Sequence, residues 1–450
     1  MNRPALPCLV PLAVLLLTAA PALAQSPAAP DTALGGFLEQ LSDSTDLYFG
    51  LSAAPTDTAG LDTVLLDTAT QPRRRLALGL SPSYDFNRVD GNTWGGTLTL
   101  RDARTDGEEA NGLGRLAGSL ERAVGSRTTL GGVRYRNRLR MPDRSLGLDL
   151  WGGRRTARLD RDHDERALDL LRALLSGNDA SQYLREEGFA GALDHTRGPW
   201  RARVGWRDVR QSPLATAVTW NLFDEPLLSP GNLAAARGRT REAGYALSLR
   251  WPRVPLVTEV ACQTSSRRLG SDFEYRRVRA AAALDLSLGR AAALVPQFAY
   301  GRLSGETIPQ AAFYLGGSRT MRSLHRDERA GTGLAIAKLE LVTAGDLLET
   351  LHLPHSGAFP LRGALFGATS AVWGRDPFTG TEVRGGDWPD RRDWRSEVGV
   401  SVLFQSALFS PGSALRYSCA WPLGPDAGGP RWSVSVSRAL DLLRFPPDAD

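Results

Sequence analysis

The stretch Gly244-Tyr245-Ala246-Leu247-Ser248-Leu249-Arg250-Trp251 carries the pattern on which the fold turns. Successive side chains of a strand point to opposite faces. Tyr245, Leu247, Leu249 and Trp251 therefore share one side, and Gly244, Ala246, Ser248 and Arg250 the other. The same period of two recurs along the chain. Trp94, Gly96, Leu98 and Leu100 oppose Gly95, Thr97, Thr99 and Arg101; Leu146, Leu148 and Leu150 oppose Ser145, Gly147 and Asp149. Near the C-terminus, Leu415, Tyr417, Cys419 and Trp421 oppose Arg416, Ser418 and Ala420. Arginine keeps returning on the polar side. A soluble sandwich also alternates, but segments of roughly ten residues repeated over most of the chain, many with an aromatic near one end, are the pattern of a membrane barrel. One face then meets lipid, and the other meets a hydrated lumen where charges pair.

Read this way, the predicted fold is all-β: a transmembrane antiparallel β-barrel of about 16 strands. The strands are placed at 76–86, 93–102, 112–122, 128–138, 145–156, 188–195, 200–210 and 241–251. They continue at 254–266, 272–289, 291–304, 332–343, 358–374, 394–405, 412–422 and 430–440. With the N-terminus periplasmic, the long connections 157–187, 211–240, 305–331 and 375–393 all follow odd strands and face outside, as outer-membrane barrels arrange them. The longish turn 344–357 is the exception. Leucines at 168, 171, 174 and 175 predict a helix within 163–186.

Composition narrows the class. Of 450 residues, 42% are hydrophobic and 23% charged, which excludes wholesale disorder. The net charge of +5 is spread among interspersed acids and bases, so no nucleic-acid-binding stripe exists. Lys338 is the only lysine. Past residue 24 there is no apolar run long enough for a membrane helix. Residues 1–24 read as a secretory signal peptide, with Arg3 before an apolar stretch and Ala22-Leu23-Ala24 as the cleavage site. Residues 25–75 form a periplasmic linker with one short helix-like piece at 34–49, ending in Arg73-Arg74-Arg75. The barrel occupies 76–443, and 444–450 is a tail. Cys8 leaves with the signal, while Cys262 and Cys419 fill strand positions as small hydrophobes.

Chemical signatures are sparse. His352 and His355 lie three apart in the 344–357 turn but lack a third ligand, so neither a metal nor a cofactor is expected. No Gly-x-Ser-x-Gly elbow and no phosphate-cradling loop occurs, so no catalytic residue and no enzymatic activity are expected. Asp162, Asp164 and Glu165 with Arg161 and Arg166 read as a solvated charge run on an outer loop.

Phe313-Tyr314-Leu315-Gly316-Gly317-Ser318-Arg319-Thr320-Met321-Arg322-Ser323-Leu324 resembles the bacterial surface antigen family, the barrels of BamA, TamA and two-partner secretion transporters. Leu315, Gly316 and Gly317 match the family's Leu-Gly-Gly. Met321 stands for its aliphatic residue and Arg322 for its key arginine, while Ser323 and Leu324 depart from a Gly-aromatic pair. Trp394-Arg395-Ser396-Glu397-Val398-Gly399-Val400 and Ala420-Trp421-Pro422-Leu423-Gly424 are similar to its penultimate strands and strand ending. Pro82-Ser83-Tyr84-Asp85-Phe86-Asn87-Arg88-Val89-Asp90-Gly91 resembles the first hairpin of members without large periplasmic domains.

The resemblance implies that 305–331 folds into the lumen and that Arg322 pairs with an acid on the inner wall. The family's Phe-x-Asp-x-Gly aligns with Phe366-Gly367-Ala368-Thr369-Ser370, so the usual aspartate is missing and Glu340 or Glu397 is the expected substitute. It also implies a weak seam between the first strand, from Leu76 to Phe86, and the last, with Trp432 and Leu440. That seam would serve protein insertion, assembly or translocation at the outer membrane, since a client strand satisfies an unpaired sheet edge. Expected partners are outer-membrane lipids and lipopolysaccharide, client polypeptides, and periplasmic partner proteins, because 25–75 is too short for a receiving module. The alternative is a passive, anion-attracting pore or structural barrel.

Overall fold

The computed structural model describes residues 76–102, 113–160, 173, 179, 181–218, 231–251, 253–289, 291–354, 360–383, 388–405, 413–424 and 428–438. Within them the chain is almost wholly strand. The first nine segments are β1 (Leu76–Asn87), β2 (Gly91–Asp102), β3 (Arg115–Ala123), β4 (Thr128–Met141), β5 (Arg144–Arg158), β6 (Tyr183–Arg197), β7 (Trp200–Pro213), β8 (Gly238–Arg250) and β9 (Leu256–Ser265). Then come β10 (Tyr275–Leu284), β11 (Leu286–Leu288), β12 (Ala292–Gly305), β13 (Phe313–Leu315), β14 (Arg329–Gly331) and β15 (Gly333–Thr343). The last are β16 (Leu361–Arg375), β17 (Glu382–Val383), β18 (Trp394–Gln405), β19 (Ser413–Leu423) and β20 (Arg431–Arg438).

All but β13 and β14 belong to one antiparallel sheet, in which each strand pairs with its neighbours along the chain. β11 continues β10 past Asp285 on the same partner, β12, and β17 is a two-residue flap on the end of β16. Sixteen strands therefore build the wall, and the expected all-β antiparallel barrel is the fold.

The two faces are inverted relative to a soluble protein. Leu78, Leu80, Leu120, Val133, Phe189, Leu193 and Val204 point outward and are more than half exposed. Arg134, Arg203, Glu242, Glu259, Lys338, Glu340, Glu397 and Arg416 point inward and are buried. Water outside would penalise this arrangement, whereas a hydrocarbon exterior and a polar interior favour it. No described helix is long and apolar enough to cross a membrane.

Several boundaries differ from the periodicity. β6 begins at Tyr183 rather than 188, because its first four residues are buried on both faces and carry no alternation to read. The turn after β15 contains a single helical turn, Leu347–Thr350, whose Asp346 side chain accepts from the backbone of Leu348. The helix expected within 163–186 falls largely outside the described residues, as do 1–75, Leu440 and the tail.

Among the described residues, β1 pairs with β2 and β20 with β19, and no ladder joins β1 to β20. Polar contacts bridge the two ends through the interior. Arg431 of β20 lies 2.8 Å from His325 Nδ1, and Arg326 donates to Ser181 Oγ at 2.7 Å. The Ser181 carbonyl in turn accepts from Arg88, at the β1–β2 turn, at 2.7 Å.

Candidate functional site

The segment between β12 and β15 fills the interior. It turns at Pro309–Ala311, runs through β13, and returns along β14. Its apolar anchors are Phe313, Leu315 and Met321, all buried against Leu303, Leu334 and Ile336 of the wall. Burying each such side chain contributes about 1.5–3 kcal/mol, which offsets part of the entropy of ordering a long connection. Arg277 covers the Phe313 ring at 4.4 Å.

The Leu315-Gly316-Gly317 motif makes a tight return. Gly316 has φ +126° and Gly317 φ +93°, left-handed values that favour glycine. A Cβ on Gly316 would overlap the His325 carbonyl oxygen. Thr320 locks the turn: its hydroxyl accepts from Gly316 N at 2.8 Å and donates to Gly316 O at 3.0 Å. Met321 bridges back to Gly317, which brings Arg322 to the wall.

Arg322 is buried, and its Nη2 donates to Glu340 Oε1 at 2.6 Å. Arg416 Nη1 donates to the same oxygen at 2.7 Å. One carboxylate thus sits between two guanidiniums, and the Phe366 ring lies 4.1 Å from the Arg322 guanidinium carbon. Glu397 acts differently. Its Oε1 accepts from the Arg322 backbone N–H at 3.1 Å and its Oε2 from that of Ser323 at 2.6 Å. Lys338 donates to the Arg319 carbonyl. Charge-assisted bonds of this kind are about twice as strong as neutral ones, and burial raises what is lost when one partner is removed.

Register explains the geometry. Glu340 stands opposite Phe366 in the β15–β16 ladder, and Glu397 opposite Ala368 in the β16–β18 ladder. Of the residues singled out from the sequence, Leu315, Gly316, Gly317, Met321 and Arg322 come together in the lumen. The Arg322 side chain meets Glu340, and its backbone meets Glu397. Arg416, Lys338 and Phe366 were not singled out for this cluster. Arg416 had one usable signal, its place on the polar face of its strand. Of the seam residues, Leu76 and Trp432 are exposed, Trp432 stacks on Tyr417 with centroids 5.4 Å apart, and Phe86 is buried.

A second polar cluster closes the end of the barrel at the β1–β2 turn. Asp90 is buried between Arg185, at 2.8 Å, and the hydroxyls of Ser126 and Thr156. Arg88 donates to the Ser181 carbonyl and to Gln182 Oε1, and its backbone N–H to Asp179. Asp327 of the lumen segment is buried. Burial, then the charge of Asp160, holds its carboxyl well above the usual carboxylate range, against the pull of Arg326 and Arg158. Burial likewise raises the Tyr314 phenol, whose hydroxyl donates to the Pro309 carbonyl at 2.8 Å. Among the described residues no three His, Cys, Asp or Glu side chains are grouped to hold a metal ion.

No protein-family model matches the chain, and no curated protein matches it. Solved structures overlap it only loosely. BamA from Haemophilus ducreyi lacking POTRA domains 1–3 is 11% identical, with 80% of this chain and 70% of that one covered and a TM-score of 0.48. CdiB from Acinetobacter baumannii is 11% identical over 80% and 59% of the two chains, with a TM-score of 0.40. OccK3 (OpdO) from Pseudomonas aeruginosa is 14% identical over 80% and 83%, with a TM-score of 0.37. Overlaps at this level distinguish neither family nor activity.

Proposed function

We infer that this chain is an outer-membrane barrel of the bacterial surface antigen type, which takes part in protein insertion, assembly or translocation and binds rather than transforms its clients. The observation that carries this reading is the lumen segment held through Arg322, Glu340, Arg416 and Glu397. A wall that spends buried charge on keeping its own interior filled is poorly suited to passive flow. Its working surface is then the edge of the sheet, where β1 and β20 can pair with a client strand. Outer-membrane lipid covers the apolar exterior, and periplasmic partner proteins deliver clients.

The alternative, an anion-attracting pore, is favoured by the arginines of the inner wall. Planar-bilayer conductance separates the two. The filled barrel conducts weakly, and Glu340→Ala raises conductance by releasing the segment. A large, steady conductance from the unmodified protein would support the pore instead. The seam is tested by pairing cysteines across 76–86 and 431–434 in a chain lacking Cys262 and Cys419. Oxidation should stop client handling and reduction should restore it.

A further inference from the structure

The turn between β15 and β16 is unlike the tight turns at the same end of the barrel. β4 and β5 are joined by Pro142 and Asp143 alone, and β6 and β7 by Gly198 and Pro199. Between Thr343 and Leu361 the chain instead builds the helical turn Leu347–Thr350 and then reverses at His352. Leu347, Leu348 and Leu351 fall on one side of that helical turn, because positions i, i+1 and i+4 lie within about 100° of arc. Glu349 falls on the opposite side.

The reversal brings back a fourth leucine. His352 N–H donates to the Glu349 carbonyl at 3.0 Å, and Leu353 N–H to the Leu348 carbonyl at 2.9 Å. These are the two bonds of a Schellman ending, which returns the chain toward the helix through one left-handed residue. His352 takes that place with φ +55°, where glycine is usual. Leu353 is thereby set back toward Leu348. Leu351 is 57% exposed and Leu353 48%, with Glu349 exposed on the other side.

The turn is folded onto the outer surface of the wall. A Cβ on Gly363 would stand 3.7 Å from Leu347 Cδ2 and 3.7 Å from Thr343 Cγ2. By alternation, Gly363 shares the outward face of β16 with the exposed Leu365, and Thr343 that of β15 with the exposed Leu339. Asp346 fastens the turn in place. Its Oδ1 accepts from Leu348 N at 3.0 Å and from the N–H of Leu361, the first residue of β16, at 3.2 Å. Gly363 is two residues, or about 7 Å, from Leu365 along the strand. The leucines of the turn therefore continue the apolar band of the barrel exterior.

We propose that the 346–353 turn is a lipid anchor, which sinks Leu348, Leu351 and Leu353 into the head-group boundary beside β15 and β16 and leaves Glu349 in water. Amphipathic helical pieces bind that boundary by burying one apolar face about 5–10 Å deep. Such an anchor sets how deep β15 and β16 sit in the bilayer. A periplasmic protein docked on the leucines is the competing occupant. Lipid is favoured by continuity, since Leu347 sits against Gly363 and the same face runs on to Leu365. The anchor goes beyond the client-handling reading and does not depend on it.

The test uses the full exported chain with C262A and C419A, folded into vesicles of phosphatidylethanolamine and phosphatidylglycerol. One nitroxide at a time is placed at L351C, L353C, E349C or L365C. Oxygen concentrates in hydrocarbon and a nickel chelate stays in water, so the ratio of their collision rates with the label reports depth. L365C marks the lipid-facing wall, and heat-modifiable gel mobility shows that each barrel is intact. The oxygen-to-nickel ratio at L351C and L353C should be several-fold higher than at E349C and approach that at L365C. Equal ratios at the three turn positions, or a nickel-rich L351C beside an oxygen-rich L365C, overturn the anchor. If the L351C and L353C labels escape nickel only after an outer-membrane protein extract is added, the leucines belong to a protein partner and the lipid assignment is wrong. L351Q/L353Q in a chain labelled at L348C should move that label toward nickel; an unchanged ratio also overturns the proposal. None of these readouts involves client handling, so failure of the anchor and failure of the seam reading are distinguishable.

Discussion

Replacing Glu340 by alanine removes the one carboxylate that two buried guanidiniums share. Arg322 and Arg416 both donate to its Oε1, and all three side chains are buried. Breaking a buried pair by deleting one partner costs about 3–5 kcal/mol, because the remaining charge is left uncompensated. The buried Arg322 guanidinium loses its carboxylate, so that range applies to the docked state. At 1.36 kcal/mol per tenfold change, the docking equilibrium of the 306–332 segment should fall by about a hundredfold to a few thousandfold. Arg322→Ala should do less. Glu340 keeps Arg416, and Glu397 keeps its two backbone bonds, so about 1–3 kcal/mol is lost. The assay is limited proteolysis with an enzyme indifferent to arginine, scoring cleavage between Gly316 and Glu328 in detergent-solubilised protein. The expected order of sensitivity is Glu340→Ala, then Arg322→Ala, then wild type, and the double variant should be no worse than Glu340→Ala. If Arg322→Ala were cleaved as fast as Glu340→Ala, the shared-carboxylate account would be refuted. If neither differed from wild type, the segment would be held without the ion pairs.

Three further outcomes follow from the same geometry. Gly316→Ala should loosen the segment by about 1–3 kcal/mol, since φ +126° and the His325 carbonyl leave no room for a Cβ; its proteolysis should match that of Arg322→Ala. The raised pKa of Asp327 stabilises the docked segment fully below the ordinary carboxylate range, and that stability is lost as pH rises through the raised value. Cleavage should therefore slow on acidification from neutral pH, and Asp327→Asn should flatten the profile; a profile that quickens on acidification has the wrong sign. Leu120→Arg puts a charge on the outward face of β3, where Leu120 is 67% exposed, and should lower barrel stability in vesicles by about 2–4 kcal/mol at mid-membrane depth. An unchanged urea midpoint would show that this face does not meet lipid.

The strand architecture is legible in the residues because its cause is local. Lipid on one side and water on the other impose a period of two on each strand separately, so Tyr245, Leu247 and Leu249 reveal their face without any knowledge of the neighbours. Where a strand is covered on both sides that cause vanishes, and the start of β6 at Tyr183 could not be read. Which lumen charges pair is a different kind of fact. Arginine recurs on nearly every inner face, so no motif could tell Arg416 from the rest or rank Glu340 against Glu397. Curvature and register settle it: β16 and β18 lie between Glu340 and Arg416, and the bend of the wall brings them to 2.7 Å. The same register sets Glu397 opposite Ala368, where its carboxylate clamps a backbone 74 and 75 residues away along the chain. Contacts across such separations depend on how the whole sheet closes around its interior, and a sequence read one segment at a time holds no record of that closure.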